Sequence, residues 1–113
     1  MKKFNFKGLE IHLHPEVYDP AEDTFLLIDS IDIKPKDSVF EIGTGCGIIS
    51  LYCASLGANV ICSDTNPFAV ELVKKNVLVN KSLLNGSLEV RLGSLFDVLS
   101  FDDKFDKIIF KLN

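Results

Sequence analysis

Residues 38–55 read SVFEIGTGCGIISLYCAS, an apolar run, a glycine-rich turn and a second apolar run in direct succession. The first run, Val39–Ile42, predicts a buried strand, and the second, over about residues 48–55, predicts a helix. Gly43 and Gly45 allow tight, positive-φ backbone and a close approach of a ligand to the main chain. Because ligands bind at the carboxyl ends of the strands in a doubly wound sheet, this turn marks the candidate ligand site.

Strands and helices continue to alternate beyond the turn. A second buried strand, a helix that starts at an Asn-Pro pair and two further strands follow in order. Strands that alternate with helices form βαβ units with right-handed crossovers and a parallel sheet, so the fold class is α/β and Rossmann-like. The predicted elements are strands at Val60–Cys62, Leu88–Leu92 and Lys107–Phe110, and a helix from Asn66-Pro67 to about Asn80 with Val70, Val73 and Val77 on one face.

The N-terminal residues predict one strand and one helix. Leu9–Leu13 alternates apolar and polar residues, as a half-buried strand does, and would place His12 and His14 on one solvent-facing side. Asp19 and Pro20 predict a helix start, because Asp19 can cap the helix and Pro20 suits its first position. This helix is expected to have Glu22 three residues after the cap, to end at about Ile31 and to bury Ala21, Phe25 and Ile28.

Composition and charge narrow the classes of function. The 113 residues suffice for one compact domain, and a net charge of -4 with a pI of about 5.0 gives no global positive field for nucleic acid or anionic lipid. No apolar stretch approaches the roughly 20 residues of a membrane span, and no signal peptide is visible, so we expect a cytoplasmic protein without a membrane partner. Three cysteines without a CxxC pair, Cys46, Cys53 and Cys62, predict small buried side chains and no metal site.

Two nucleotide cofactors compete for the glycine-rich turn. The dinucleotide fingerprint G-x-G-x-x-G/A, counted from Gly43, requires Gly or Ala at position 48, where this chain has Ile48. The run E-x-G-x-G-x-G from Glu41 suits S-adenosylmethionine better, because the Glu41 carboxylate can balance the positive charge around the methionyl amine. We therefore divide the chain into an N-terminal strand and capping helix over residues 1–36 and an S-adenosylmethionine-binding half-domain over residues 37–113.

Polar residues after the next two strands extend the site. Asp64 ends the second strand, 21 residues after Gly43, where an acidic side chain can accept hydrogen bonds from both ribose hydroxyls. Its alternative role is a helix cap, which Asn66 already fills. After the third strand, Ser94 could bond the exocyclic amine of the adenine and Leu95 could pack against the ring, although Gly93–Asp97 also fits an ordinary turn.

These motifs together resemble a known family. Val17–Leu27, VYDPAEDTFLL, is similar to the VYEPAEDTFLL signature of the eukaryotic and archaeal HemK-like protein N5-glutamine methyltransferases. Glu41–Gly47, Asp64–Pro67 and Gly93–Phe96 follow in the family's order and spacing, and the resemblance runs from about Leu9 to Phe110. It implies the class I S-adenosylmethionine-dependent methyltransferase fold, of which this chain would form the N-terminal half.

The resemblance also implies site residues and partners. Thr24, Glu41, Gly43, Gly45 and Asp64 would contact the cofactor, while Ser94 replaces the Asp that the family commonly has beside the adenine. The family's usual substrate is the glutamine of a GGQ motif in a translation release factor, and members often work with a small zinc-binding activator subunit. The candidate cofactor-binding residues are Thr24, Glu41, Gly43, Thr44, Gly45, Asp64, Thr65, Ser94 and Leu95.

The chain departs from the family after the fourth strand. There the family has N-P-P-Y, whose Asn grips the amide that receives the methyl group, and this chain has Lys111-Leu112-Asn113. Asn113 as the start of a displaced motif is the alternative. We therefore assign no catalytic residue and expect a chain that is inactive alone and that self-associates or pairs with a complementing C-terminal chain. Two other functions stay open: an adenine or guanine amino-group methyltransferase, which the net charge disfavours, and a non-catalytic cofactor-binding fragment.

Overall fold

The computed structural model describes residues 2–99 and 103–111, without the side chains of Leu95 and Phe96. The described chain forms six strands, four α-helices and one short 3-10 helix in an α/β arrangement. In chain order these are β1 (Lys3–Phe6), β2 (Leu9–His12), α1 (Glu22–Ser30), β3 (Ser38–Ile42), α2 (Ile48–Ser55), β4 (Asn59–Asp64), α3 (Pro67–Val79), the 3-10 helix (Lys81–Leu83), β5 (Ser87–Leu92), α4 (Leu95–Val98) and β6 (Lys107–Phe110).

The main sheet is parallel, as the alternation of strands and helices predicts. Its four strands lie in the order β5-β4-β3-β6, with Ile42 at the end of β3 paired to Ser63 of β4 and to Phe110 of β6. Strand β3 is the most deeply placed, since Val39 and Phe40 are buried, as a strand covered on both faces requires. The carboxyl ends of all four strands therefore meet at one edge, where the glycine turn begins.

Two of the predicted helices occur where the sequence places them. Helix α2 spans Ile48–Ser55, and most of its residues are buried because it lies between the sheet and the N-terminal strands. Helix α3 starts after Asn66, whose side chain caps it by accepting a hydrogen bond from the Phe68 N–H at 3.0 Å. Both helix starts are set by local turn chemistry, which explains why the sequence predicts them well.

The N-terminus forms a hairpin instead of a single strand. Strands β1 and β2 pair antiparallel around a turn at Lys7 and Gly8, both with positive φ. The hairpin is fixed to α3 by two buried amides, which hydrogen bond to the β2 backbone as a neighbouring strand would. Asn76 bonds the N–H and carbonyl of His12 at 2.9 and 3.1 Å, and Asn80 bonds those of Glu10 at 2.8 and 2.9 Å.

The predicted start of the first helix is wrong. Helix α1 begins at Glu22, after Ala21 in extended conformation, and no side chain caps it. Residues 18–21 are non-helical, and the backbone just before them is tied to the start of α3, where the Asn66 side chain donates to the Glu16 carbonyl at 2.7 Å. Ala21 is consequently exposed, Phe25 is half-buried, and Thr24 and Ile28 are the buried residues of the helix.

The two histidines do not share a solvent-facing side of a strand. His12 is half-buried in β2, and its Nε2 lies 2.6 Å from a Glu10 carboxylate oxygen. His14 lies beyond the strand and stacks on Phe68, with ring centroids 5.1 Å apart. The alternation in Leu9–Leu13 thus identifies a strand, but β2 ends at His12.

Cys46, Cys53 and Cys62 are free thiols and buried, as predicted for small core side chains. Burial raises the pKa of the Cys53 and Cys62 thiols to about 12, so neither is a reactive thiolate at neutral pH. Across the described ranges, no helix is long and apolar enough to cross a membrane.

Candidate functional site

The glycine turn is fixed to β4 by its own backbone. The N–H groups of Gly43 and Thr44 both donate to the Ser63 carbonyl at 3.0 Å, and that of Gly45 donates to Asp64 Oδ2 at 3.0 Å. This arrangement leaves the first half of the turn with defined partners before any ligand binds.

Glycine is required in the turn for two different reasons. A Cβ on Gly43, which has a φ of +74°, would lie 2.5 Å from the Lys111 carbonyl oxygen, so the chain itself fills that space. Beside Gly45, with a φ of +61°, the nearest atoms are the Lys111 Nζ at 3.6 Å and the Tyr18 carbonyl oxygen at 3.8 Å. Gly43 is thus needed for packing, and Gly45 is the position where the turn leaves room beside its backbone.

The Glu41 carboxyl is completely buried and only partly satisfied. Its Oε1 accepts hydrogen bonds from the Thr44 and Ser50 hydroxyls, each at 2.7 Å. Its Oε2 is buried and has no hydrogen-bond partner among the described residues. Burial raises the Glu41 pKa, against the lowering effects of the Ser50 and Thr44 hydroxyls and the Lys111 charge. A buried acceptor without a partner is rare in folded proteins and indicates that a donor is missing.

Thr24 brings α1 to the same edge of the sheet. Its hydroxyl is buried and, within the described part of the chain, has no hydrogen-bond partner. It lines a cavity of about 220 Å³ whose wall also includes Ile49, Phe110 and Lys111. The residue that only the signature suggests as a cofactor contact therefore lies beside the end of β6.

Asp64 is placed at the end of β4, as predicted, and already has two backbone donors. Its Oδ2 accepts from Gly45 and its Oδ1 accepts from the Asn66 N–H at 2.9 Å. Asn66 caps α3 with its own side chain, so Asp64 supports the turn before α3 and is not the cap. Each carboxylate oxygen can accept about two hydrogen bonds, which leaves capacity for ribose hydroxyls. That contact stays a prediction.

The remaining candidates lie in three different environments. Thr44 is buried and directs its hydroxyl at Glu41, so it supports that carboxyl from inside, together with Ser50, which the sequence analysis missed. Thr65 is exposed. Ser94 is exposed and forms a capping box with Asp97 at the start of α4, so a short helix replaces the ordinary turn considered for this segment. The Leu95 side chain and Asn113 lie outside the described part of the structure.

A larger cavity of about 670 Å³ lies along residues 13–19, between β2 and α1 in the chain. The segment that carries the family signature forms part of its wall, with Val17, Tyr18 and Asp19 beside His14. Tyr18 is 74% exposed although it is a large aromatic residue, and its carbonyl faces Gly45. The signature segment therefore borders the open side of the turn.

Comparison with known proteins finds similarity to methyltransferases. A family described as "Lysine methyltransferase" matches residues 22–109, from the start of α1 into β6. The chain is 43% identical over 104 residues to a putative protein N5-glutamine methyltransferase of Methanocaldococcus jannaschii, a match that covers 88% of this chain and 52% of that protein. It is 37% identical over 109 residues to a release factor glutamine methyltransferase of Aliivibrio fischeri, covering 92% of this chain and 37% of that one.

The solved structures show the same fold. The crystal structure of the Pyrococcus abyssi tRNA (uracil-54, C5)-methyltransferase in complex with S-adenosyl-L-homocysteine matches with a TM-score of 0.73 and 22% identity, over 95% of this chain and 26% of that one. The chain spans about half of the length of the Methanocaldococcus jannaschii relative and about a third of that of the Aliivibrio fischeri relative.

Proposed function

Because the chain belongs to the methyltransferase family that matches residues 22–109, we propose that it forms the cofactor-binding part of a protein N5-glutamine methyltransferase that acts on a translation release factor. The methyl donor is S-adenosylmethionine. The choice of glutamine over the lysine of the family's description is supported by the VYDPAEDTFLL signature and by the relatives that are named for glutamine. The signature and the names of these relatives favour a protein amide as the methyl acceptor.

The described residues fit this cofactor at the glycine turn. The buried, unpartnered Glu41 Oε2 offers an acceptor for the methionyl amine, and Thr24 offers a buried hydroxyl nearby. Asp64 would hold the ribose, and Ser94 and Leu95 would border the adenine. The unpartnered buried oxygen of Glu41 carries the proposal, because a charged donor from a ligand would satisfy it.

In such a reaction the residues of this chain would bind the methyl donor and hold it in position for the acceptor. When bound, S-adenosylmethionine supplies an electrophilic methyl group on its sulfonium. Positioning of an acceptor can supply about 7–11 kcal/mol of a barrier, so the group that grips the amide is decisive. In this chain Lys111 occupies the position at which the family's N-P-P-Y motif begins with its amide-gripping Asn. We therefore infer that the chain alone is inactive.

The outer edge of the sheet, at β6, offers a surface for another chain. Ile108 and Phe110 of β6 are 56% and 60% exposed, on a strand that pairs with β3 alone among the described strands. Exposed apolar strand edges promote pairing with another chain. We therefore propose self-association or a complementing C-terminal chain at this edge, and the family resemblance adds a small zinc-binding activator subunit.

Two measurements test the proposed function. In titration calorimetry the chain should bind S-adenosylhomocysteine and ignore NAD, and preference for NAD would contradict the assignment. In a radiolabel assay, a chimera in which the C-terminal half of the 43% identical relative replaces this chain from Lys111 onward should label a release factor with an intact GGQ motif and not its Gln→Ala variant. Label on lysine or on RNA would refute the glutamine substrate, and transfer by the chain alone would refute its inactivity.

A further inference from the structure

The side chain of Lys111 enters the site from the end of β6. Its backbone N–H donates to the Ile42 carbonyl at 2.9 Å, and its carbonyl oxygen lies against Gly43, so the residue is fixed on the turn. Its ammonium is buried and has no hydrogen-bond partner among the residues described. A buried, unpaired charge is costly and calls for a partner of opposite charge.

Two further groups beside Lys111 would favour an anion. Helix α1 has no side-chain cap, so the N–H groups of its first turn include donors without a helical partner. Thr24 lies in that first turn, is 2% exposed and carries a buried hydroxyl without a partner in the described part of the chain. Thr24 and Lys111 line the same cavity of about 220 Å³, and the exposed Asp23 of that first turn lines it as well. A hydroxyl, an ammonium, an uncapped helix end and one exposed carboxylate thus meet at one space, and of these only the hydroxyl and the ammonium are buried.

Glu41 supplies the opposite charge close by. The Thr44 and Ser50 hydroxyls both bond its Oε1, which leaves Oε2 without a donor. The Lys111 charge lowers the pKa of Glu41, yet the Lys111 ammonium makes no hydrogen bond to the Glu41 carboxyl. A buried carboxyl and a buried ammonium that do not bond each other suit a ligand that offers a partner to both, namely an amino-acid zwitterion.

We propose that Lys111, with Thr24 and the N-terminus of α1, binds the methionyl carboxylate of the cofactor while Glu41 receives its amine. This inference rests on the proposed function and adds to it a residue that determines specificity. Lys111 takes the position of the family's amide-gripping Asn and serves cofactor binding there instead. The site consequently selects nucleosides with an intact amino-acid end over those without one.

The test compares two nucleosides on the full chain by titration calorimetry. S-adenosylhomocysteine carries the zwitterion, and 5′-methylthioadenosine has the same nucleoside and thioether without it. Lys111→Met keeps the length of the side chain and removes its charge, and it should weaken S-adenosylhomocysteine binding at least about tenfold while leaving 5′-methylthioadenosine binding unchanged. Lys104→Met removes an exposed lysine just before β6 and should change neither.

The outcomes separate this inference from the proposed function. Tighter or unchanged S-adenosylhomocysteine binding by Lys111→Met would overturn the role of Lys111 and leave the cofactor site intact. If the unaltered chain binds neither nucleoside, the proposed function fails, and this inference fails with it. Should Lys111→Met lose 5′-methylthioadenosine binding through misfolding, Thr24→Val must show the same selective loss, and an equal loss for both nucleosides would refute the carboxylate site.

Discussion

The two sides of the glycine turn differ in how their polar groups are satisfied. On the β4 side, the Ser63 carbonyl and the Asp64 carboxylate take the N–H groups of Gly43, Thr44 and Gly45. On the β6 side, Glu41 Oε2, Thr24 Oγ1 and Lys111 Nζ are buried without a hydrogen-bond partner in the described part of the chain. The β4 side thus holds its shape by itself, and the β6 side is left for a ligand to complete.

The largest expected effect comes from breaking the packed part of the turn. Gly43→Ala would force a side chain into positive φ and against the Lys111 carbonyl, and it should lower the free energy of unfolding by about 2–4 kcal/mol in urea titrations. Gly8→Ala is the matched control, because Gly8 also has positive φ but open space around its Cβ position. Equal losses for the two variants would mean that the close approach of β6 to the turn contributes nothing.

A smaller effect is expected when the β4 side loses its carboxylate. Asp64→Ala should weaken S-adenosylhomocysteine binding by about 1.5–3 kcal/mol, the scale of hydrogen bonds to a charged group. Calorimetry measures this change, with Asp29→Ala as a control at an exposed acid of α1. An unchanged affinity would show that Asp64 only supports the turn, through Gly45 and Asn66.

The third expected effect is a pH dependence of stability that comes from Glu41 on the β6 side of the turn. Burial raises the Glu41 pKa in the folded chain above the 4.5 that is ordinary for an exposed glutamate, so the folded state holds the proton more tightly than the unfolded state. The stability that Glu41 contributes is therefore full below pH 4.5 and declines as the pH rises through the folded pKa. Glu41→Gln removes this decline, since an amide does not titrate.

Urea unfolding at several pH values checks the Glu41 prediction. The stability of Glu41→Gln relative to the unaltered chain should increase from pH 5 to pH 8. Ser87→Ala, at an exposed hydroxyl on β5, should show no such trend. A constant difference between Glu41→Gln and the unaltered chain would mean that the Glu41 carboxyl does not titrate differently in the folded state.

Local sequence patterns predict the sheet and the β4 side of the site well. The apolar runs, the Asn-Pro pair at Asn66 and the glycine turn each act within a few residues, so β6, α2 and the start of α3 lie where the pattern places them. Asp64 follows from the same logic, because a strand end fixes its position. The parallel order of the strands then follows from the βαβ rule.

Features that depend on distant contacts could not be predicted in this way. The position of β2 on α3 depends on Asn76 and Asn80, which bond its backbone across more than 60 positions of sequence. The chain before α1 is also tied to a distant residue, since Asn66 donates to the Glu16 carbonyl. Likewise, no local pattern indicates that Ser50 supports Glu41 or that the Lys111 ammonium enters the site.

Amide chemical shifts of the full chain, recorded in parallel titrations with 5′-methylthioadenosine and S-adenosylhomocysteine, test the difference between the two sides most directly. Both ligands should shift the amides of Gly45 and Asp64, and only S-adenosylhomocysteine should shift those of Thr24 and Lys111 as well. Identical shift patterns for the two ligands, or shifts that avoid the glycine turn, would contradict a site whose β6 side is completed by the amino-acid end of its ligand.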